Sequence, residues 1–94
     1  MRDTNPTEVE ICEWCTTYLA KVLKVPADQV DPQAGIARLG VDSAASVLFV
    51  MDIEEWLDLE LPANIAYEYK SVAELAGYLA RRCADRRRAT REST

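Results

Sequence analysis

A chain of 94 residues and 10.6 kDa fits one domain, at the small end of what buries a core unaided, and this excludes a two-domain enzyme. Hydrophobic residues make up 49% and charged residues 29%, with three Gly and four Pro, which is a compact soluble composition rather than a low-complexity or disordered one. Eleven Lys and Arg against sixteen Asp and Glu leave a net charge of −5, which argues against nucleic acid or an anionic membrane and for a partner with a basic surface.

The sequence contains no histidine, which removes His-based triads, His general bases and His metal ligands together. Zinc calls for about four ligands, and three cysteines without histidine do not make a usual structural set. No metal is expected. The first twenty residues lack a continuous apolar stretch, and no later run approaches the roughly 18 residues of a membrane span. An odd number of cysteines in such a chain points to a reduced, cytoplasmic setting.

Residues 1–6 read as a flexible leader. Two overlapping helix starts follow: Asn5 with Pro6 at the first helical position, or Thr7 with Glu10 as a capping box. Ile11, Trp14, Cys15, Tyr18, Leu19 and Val22 then recur at helical spacing, predicting a first helix as far as about Lys24. Cys12 and Cys15 form a C-x-x-C, but inside a helical pattern rather than at a strand-to-helix turn, which speaks against a thiol-redox enzyme. Cys15 is expected in the core and Cys12 at its flank.

From Val25 to Asp42 the periodicity breaks at Pro26, Pro32, Gly35 and Gly40. This long connection is expected to be pinned by Val30, Ile36 and Leu39, since loops beyond about 12–15 residues are uncommon unless functional or partly structured. A second helix is predicted from Asp42 or Ser43 to near Leu59, with Asp42 as N-cap. Residues 63–70 hold at most a short third helix around Ile65 to Tyr69. Ser71-Val72-Ala73-Glu74 is another capping box, opening a last helix with a stripe of Val72, Leu75, Ala76, Leu79 and Cys83. No strand-like alternation persists, and no internal repeat is present. The expected fold is an all-α four-helix bundle: three longer helices, one short third helix and a long first loop. Residues 7–83 form the domain, and 84–94 a basic, disordered tail.

The second helix carries five consecutive apolar residues, Val47-Leu48-Phe49-Val50-Met51, which at about 100° per residue go all the way round. Phe49, Val50, Ile53 and Leu57 share one arc and form the core side, with Ala45 and Trp56 at its edge. Ala44, Val47, Leu48 and Met51 fall on the side of Ser43, interleaved with Glu54, Glu55 and Asp58. This second group either packs under the long connection and the last helix or stands exposed. A phosphate on Ser43 would be stabilised at the helix N-terminus, whereas no general base is signalled that would make Ser43 a nucleophile of the chain's own.

At Leu39-Gly40-Val41-Asp42-Ser43 the chain resembles the acyl carrier and peptidyl carrier protein family, whose Gly-x-Asp-Ser motif carries 4′-phosphopantetheine on the serine. Glu54-Glu55 with Leu61-Pro62, the stretch from Leu61 to Ser71, and Val72 to Leu79 extend the resemblance over residues 8–82, closest to carriers of modular polyketide and nonribosomal peptide synthetases. It implies a discrete, non-catalytic, monomeric carrier of thioester-bound intermediates in polyketide or nonribosomal peptide biosynthesis. Ser43 would receive the group from coenzyme A through a separate phosphopantetheinyl transferase, with Asp42 placing the serine. Ala44, Val47 and Met51 would make apolar contacts with the acyl-loading, condensing or tailoring enzymes, and Glu54, Glu55 and Asp58 acidic ones. Ala66 and Tyr69 would border the arm or cargo. The chain departs from the family at Ala44, where Leu or Ile is usual, at Leu48, where a polar or acidic residue is common, and at Lys70, which replaces a frequent proline. Leu48 is therefore expected to add an apolar contact to the partner surface. The alternative is an unmodified helical adaptor for protein docking.

Overall fold

The computed structural model describes the backbone of residues 6–92 and the side chains of residues 6–85. Among the described residues there are five α-helices, one 3₁₀ turn and no strand: α1 (Glu8–Leu23), the 3₁₀ turn (Ala27–Gln29), α2 (Ile36–Leu39), α3 (Ser43–Leu57), α4 (Ile65–Glu68) and α5 (Val72–Glu92). The three longer helices and the short one at 65–68 are those expected; α2 and the 3₁₀ turn are the added structure of the long connection. Residues 1–5 of the expected leader lie outside the described residues.

Of the two possible starts for α1 the chain uses Thr7. Its Oγ1 accepts the Glu10 N–H at 3.1 Å, and Glu10 Oε1 accepts the Thr7 N–H at 2.9 Å, so two otherwise orphaned donors are satisfied reciprocally. The helix stops where Lys24 takes a left-handed conformation, φ 61°. Ile11, Cys15 and Leu19 are fully buried, α1 packing chiefly against α5. In the last two turns the buried side swings to Ala20, which leaves Val22, expected in the core stripe, exposed.

The long connection is held from both ends. Val30, Ile36 and Val41 are buried and Leu39 is half-buried, close to the expected set. Its backbone also closes the start of α5: Val72 N–H donates to the Ala34 carbonyl at 3.0 Å and Ala73 N–H to that of Pro32 at 2.9 Å. The Ser71 hydroxyl accepts the Glu74 N–H at 3.1 Å. Helix N-terminal donors that have no intrahelical partner are thus met partly by the loop and partly by the cap. Gly35 makes this approach possible, because a Cβ there would lie 2.9 Å from the Lys70 carbonyl oxygen.

Helix α3 buries Phe49, Val50, Ile53 and Leu57, the arc set by the helical wheel, together with Ser46, whose hydroxyl is satisfied by donating to the Ser43 carbonyl at 2.9 Å. Trp14 and Tyr18 of α1 stack beside Phe49, and Trp56 lies over Trp14 with ring centroids 4.6 Å apart. These large rings fill the space between α1 and α3. In α5 Val72, Leu75, Ala76, Leu79 and Cys83 are buried as expected. The helix does not stop there: its backbone continues through Glu92, into the segment expected to be a disordered tail. Ala84, Ala89 and the arginines of that segment are good helix formers, and no Gly or Pro interrupts them. No helix among the described residues is long and apolar enough to cross a membrane.

Candidate functional site

Ser43 is the first residue of α3, and it is exposed. Gly40, at φ 86°, ends α2 in the left-handed region, and Val41 is buried behind it, so the chain turns sharply and is anchored just before the serine. Asp42 caps α3: its Oδ1 accepts the Ala45 N–H at 2.8 Å, and its carbonyl accepts the Ser46 N–H at 2.9 Å. The N–H groups of Ser43 and Ala44 have no acceptor within the helix, and they lie at the positive end of a 15-residue helix dipole. One further anchor was not foreseen from the sequence. The Tyr67 hydroxyl donates to the Val41 carbonyl at 3.2 Å, tying α4 to the segment that presents Ser43.

Beside the serine, α3 turns an uncovered apolar row outward. Leu48 is 56% exposed, Met51 55% and Val47 38%, and Ala44 is also exposed, so of the two placements open from the wheel the structure takes the exposed one. Asp52, Glu55 and Asp58 are exposed around this row. Two of the helix's acids have internal tasks. Glu54 is half-buried and its Oε2 accepts the Leu61 N–H at 2.7 Å, which fastens the connection after α3. Asp52 hydrogen-bonds the Tyr18 hydroxyl; burial first, then that carboxylate, push the Tyr18 pKa up to about 12. Trp56, at the arc's edge, is 38% exposed while stacked on Trp14.

On α4 the arrangement differs from expectation. A one-turn helix has one inward face, and Ile65 and Ala66 occupy it; Ala66 is 2% exposed and belongs to the core. Tyr67, at 44% exposed, and Glu68 face outward. Tyr69 is half-buried and packs its ring on Tyr78 at 5.2 Å. The outward side of α4 faces the first loop across a cleft, with Gly35, Ile36 and Arg38 on one wall and Tyr67, Tyr69 and Lys70 on the other. Nothing in local sequence patterning pairs these two segments, 30 residues apart; the backbone bonds between the loop and α5 do.

The cysteines are poor thiolate sources. Burial pushes the Cys15 thiol up to about 12, and burial with the neighbouring negative charges of Glu8 and Glu13 raises that of Cys12. Redox chemistry requires the thiolate, so this pair is unsuited to it near neutral pH. No group of three or more Cys, Asp or Glu among the described residues could hold a metal ion.

The family described as phosphopantetheine attachment sites matches this chain over residues 13–79, a span that contains the Asp42-Ser43 turn and all of α3. The chain belongs to this family. Members bind 4′-phosphopantetheine covalently and are carriers rather than catalysts. Polyketide synthase PksM of Bacillus subtilis is 39% identical over 62 residues, 66% of this chain and 2% of that protein. Polyketide synthase ThaG of Burkholderia thailandensis is 39% identical over 69 residues, 73% of this chain and 1% of that one. The chain therefore spans only a few per cent of the length of these relatives. Among solved structures, a free-standing peptidyl carrier protein from an Acinetobacter baumannii secondary metabolic pathway superposes with a TM-score of 0.78 at 26% identity, covering 83% of this chain and 98% of that one. The HMG-ACPI domain of the CurA module from Lyngbya majuscula shares the fold, with a TM-score of 0.77 at 24% identity over 92% of this chain and 88% of that one. The residues present fit the family's prosthetic group: an exposed serine hydroxyl at a helix N-terminus and two helix N–H groups without intrahelical acceptors, with the adjacent Asp42 carboxylate engaged in capping the Ala45 N–H.

Proposed function

We propose that this chain is a non-catalytic carrier bearing 4′-phosphopantetheine on Ser43, serving polyketide or nonribosomal peptide assembly. The observation that carries the reading is the position of Ser43: exposed, first in α3, with an uncovered apolar row on the same side of the helix. The Ser43 Oγ displaces adenosine 3′,5′-bisphosphate from coenzyme A, forming the phosphoester, while the transferase supplies the Mg²⁺ and the base that the chain lacks. Asp42 holds the turn rigid, and the Ser43 and Ala44 N–H groups with the helix dipole favour the phosphodiester by about 0.3–1 kcal/mol. When bound, the group supplies a thiol that holds an acyl or aminoacyl unit as a thioester.

Ala44, Val47, Leu48 and Met51 then form the apolar contact for successive enzymes, rimmed by Glu55 and Asp58, so these enzymes present an apolar hollow edged with basic groups. Glu54 supports this face from within through its bond to Leu61, and Tyr69 with Tyr67 lines the outer side of α4. Three cysteines held as thiols, two of them buried, favour a reducing cytoplasm.

The test is intact mass after incubation with coenzyme A, Mg²⁺ and a permissive phosphopantetheinyl transferase. Wild type should gain one phosphopantetheinyl group and Ser43→Ala none. A gain that survives Ser43→Ala moves the site, and no gain on wild type across several transferases leaves the adaptor reading.

A further inference from the structure

In residues 1–80, where acids outnumber bases fourteen to five, two of the five basic residues meet at one cleft. Arg38, at the end of α2, and Lys70, just after α4, stand on opposite walls of the groove between the first loop and α4, and no Asp or Glu lines it. The other two described clefts have the opposite character: one is lined by Asp52, Glu54, Glu55 and Glu60, the other by Asp58, Glu60 and Asp85 with a single Arg82. Both Arg38 and Lys70 are exposed, so an anion can reach them. The walls are fixed relative to each other. Gly35 approaches the Lys70 carbonyl so closely that a Cβ would not fit, Val72 N–H reaches Ala34, and Tyr67 holds the Val41 carbonyl. Tyr67 and Tyr69 line the same cleft.

The cleft lies within the span of a tether fixed at Ser43. Arg38 precedes Ser43 by five residues, at most about 18 Å even for a fully extended chain. We propose that this cleft receives a carboxylate at the far end of the carried acyl group, so that the chain favours cargo ending in a carboxylate over neutral cargo. The inference rests on the carrier reading, because it requires the arm on Ser43. A contact between a carboxylate and two solvated cations is weak when both partners are free. Attachment changes this, since a short tether sets an effective concentration on the order of millimolar, enough to populate a contact of millimolar affinity about half of the time. Neutral cargo gains no such contact and leaves Arg38 and Lys70 to water.

The test loads the full chain with succinyl-phosphopantetheine and, in parallel, with the isosteric succinamoyl form, in which an amide replaces the terminal carboxylate. Intact mass establishes loading, and backbone amide shifts are then compared. The succinyl form should perturb the amides of residues 33–38 and 67–70 relative to the succinamoyl form. These differences should shrink as salt is raised and vanish in the Arg38→Gln, Lys70→Gln double variant, whose two sites are exposed and whose Tm should match wild type. Equal shifts with both cargoes, or succinyl-specific shifts that survive the double variant, overturn the inference while leaving the carrier reading intact. Absence of loading on Ser43 overturns both.

Discussion

Replacing Gly35 with alanine should destabilise the domain, against the usual sign for a glycine whose backbone an alanine can adopt. Gly35 sits at φ −86° and ψ 170°, an ordinary extended conformation, so the loss of chain freedom in the unfolded state alone would stabilise the variant by about 0.4–1 kcal/mol. Space decides otherwise. The new Cβ would lie 2.9 Å from the Lys70 carbonyl oxygen and 3.4 Å from its carbon, both backbone atoms that cannot swing aside like a side-chain end. Moving Lys70 pulls on Val72 and Ala73, whose N–H groups hold Ala34 and Pro32, two bonds worth about 0.5–1.5 kcal/mol each. Overpacking of this kind costs about 1–3 kcal/mol, so the net loss should be roughly 1–2 kcal/mol. For a domain of this size that lowers Tm by roughly 5–15 °C, readable by circular dichroism during heating. A Tm equal to or above wild type would refute the reasoning, because it would mean that the loop is not clamped to the start of α5.

Two further outcomes follow from the core and from the exposed row. Raising the pH should unfold the protein early: the folded state keeps the Cys15 proton to about pH 12, while the unfolded chain releases it near 9, so stability falls as pH climbs between those values and is unaffected at neutrality. The loss should reach ~2 kcal/mol by pH 10.5, seen as a lower urea midpoint, and Tyr18 should add to it above pH 10; an unchanged midpoint at pH 10.5 would contradict the buried, protonated thiol. Leu48→Glu, at a site 56% exposed, should alter stability by no more than about 0.5 kcal/mol, yet slow acyl transfer by the partner enzymes about tenfold, equal to about 1.4 kcal/mol. Unchanged transfer would show that no apolar hollow faces Leu48.

Helices were legible in the sequence wherever one residue type decides the matter locally. Asp42 ahead of Ser43 and the apolar arc of α3 are each set by contacts within one or two turns and are found as read, and the Thr7 and Glu10 pair is the one used of the two starts that the sequence offered. The same geometry set Val47, Leu48 and Met51 apart from the core arc, since five consecutive apolar residues cannot all face inward, but left open whether another element covers them; the structure leaves them exposed. What escaped depends on long-range packing. Glu54 reads as a surface acid until Leu61 folds back to donate to it. The burial of Ala66 and the exposure of Tyr67 were not legible because a single turn offers no periodicity from which to choose its inward face. The cleft between Arg38 and Lys70 exists only because the loop pairs with α5, and its one local hint is a glycine where the two backbones touch. Helix continuation to Glu92 was masked by the high charge of a segment whose intrinsic propensity is nonetheless helical.

The central claim is that Ser43 is the attachment point, and the mass of the transferase-treated protein tests it most directly. With coenzyme A and Mg²⁺ present, wild type is predicted to gain a single phosphopantetheinyl group. Fragmentation should place that group on Ser43, and Ser43→Ala should gain nothing while unfolding at nearly the wild-type temperature, because the side chain is exposed. A wild-type chain that stays unmodified, or a modified Ser43→Ala, would contradict the account.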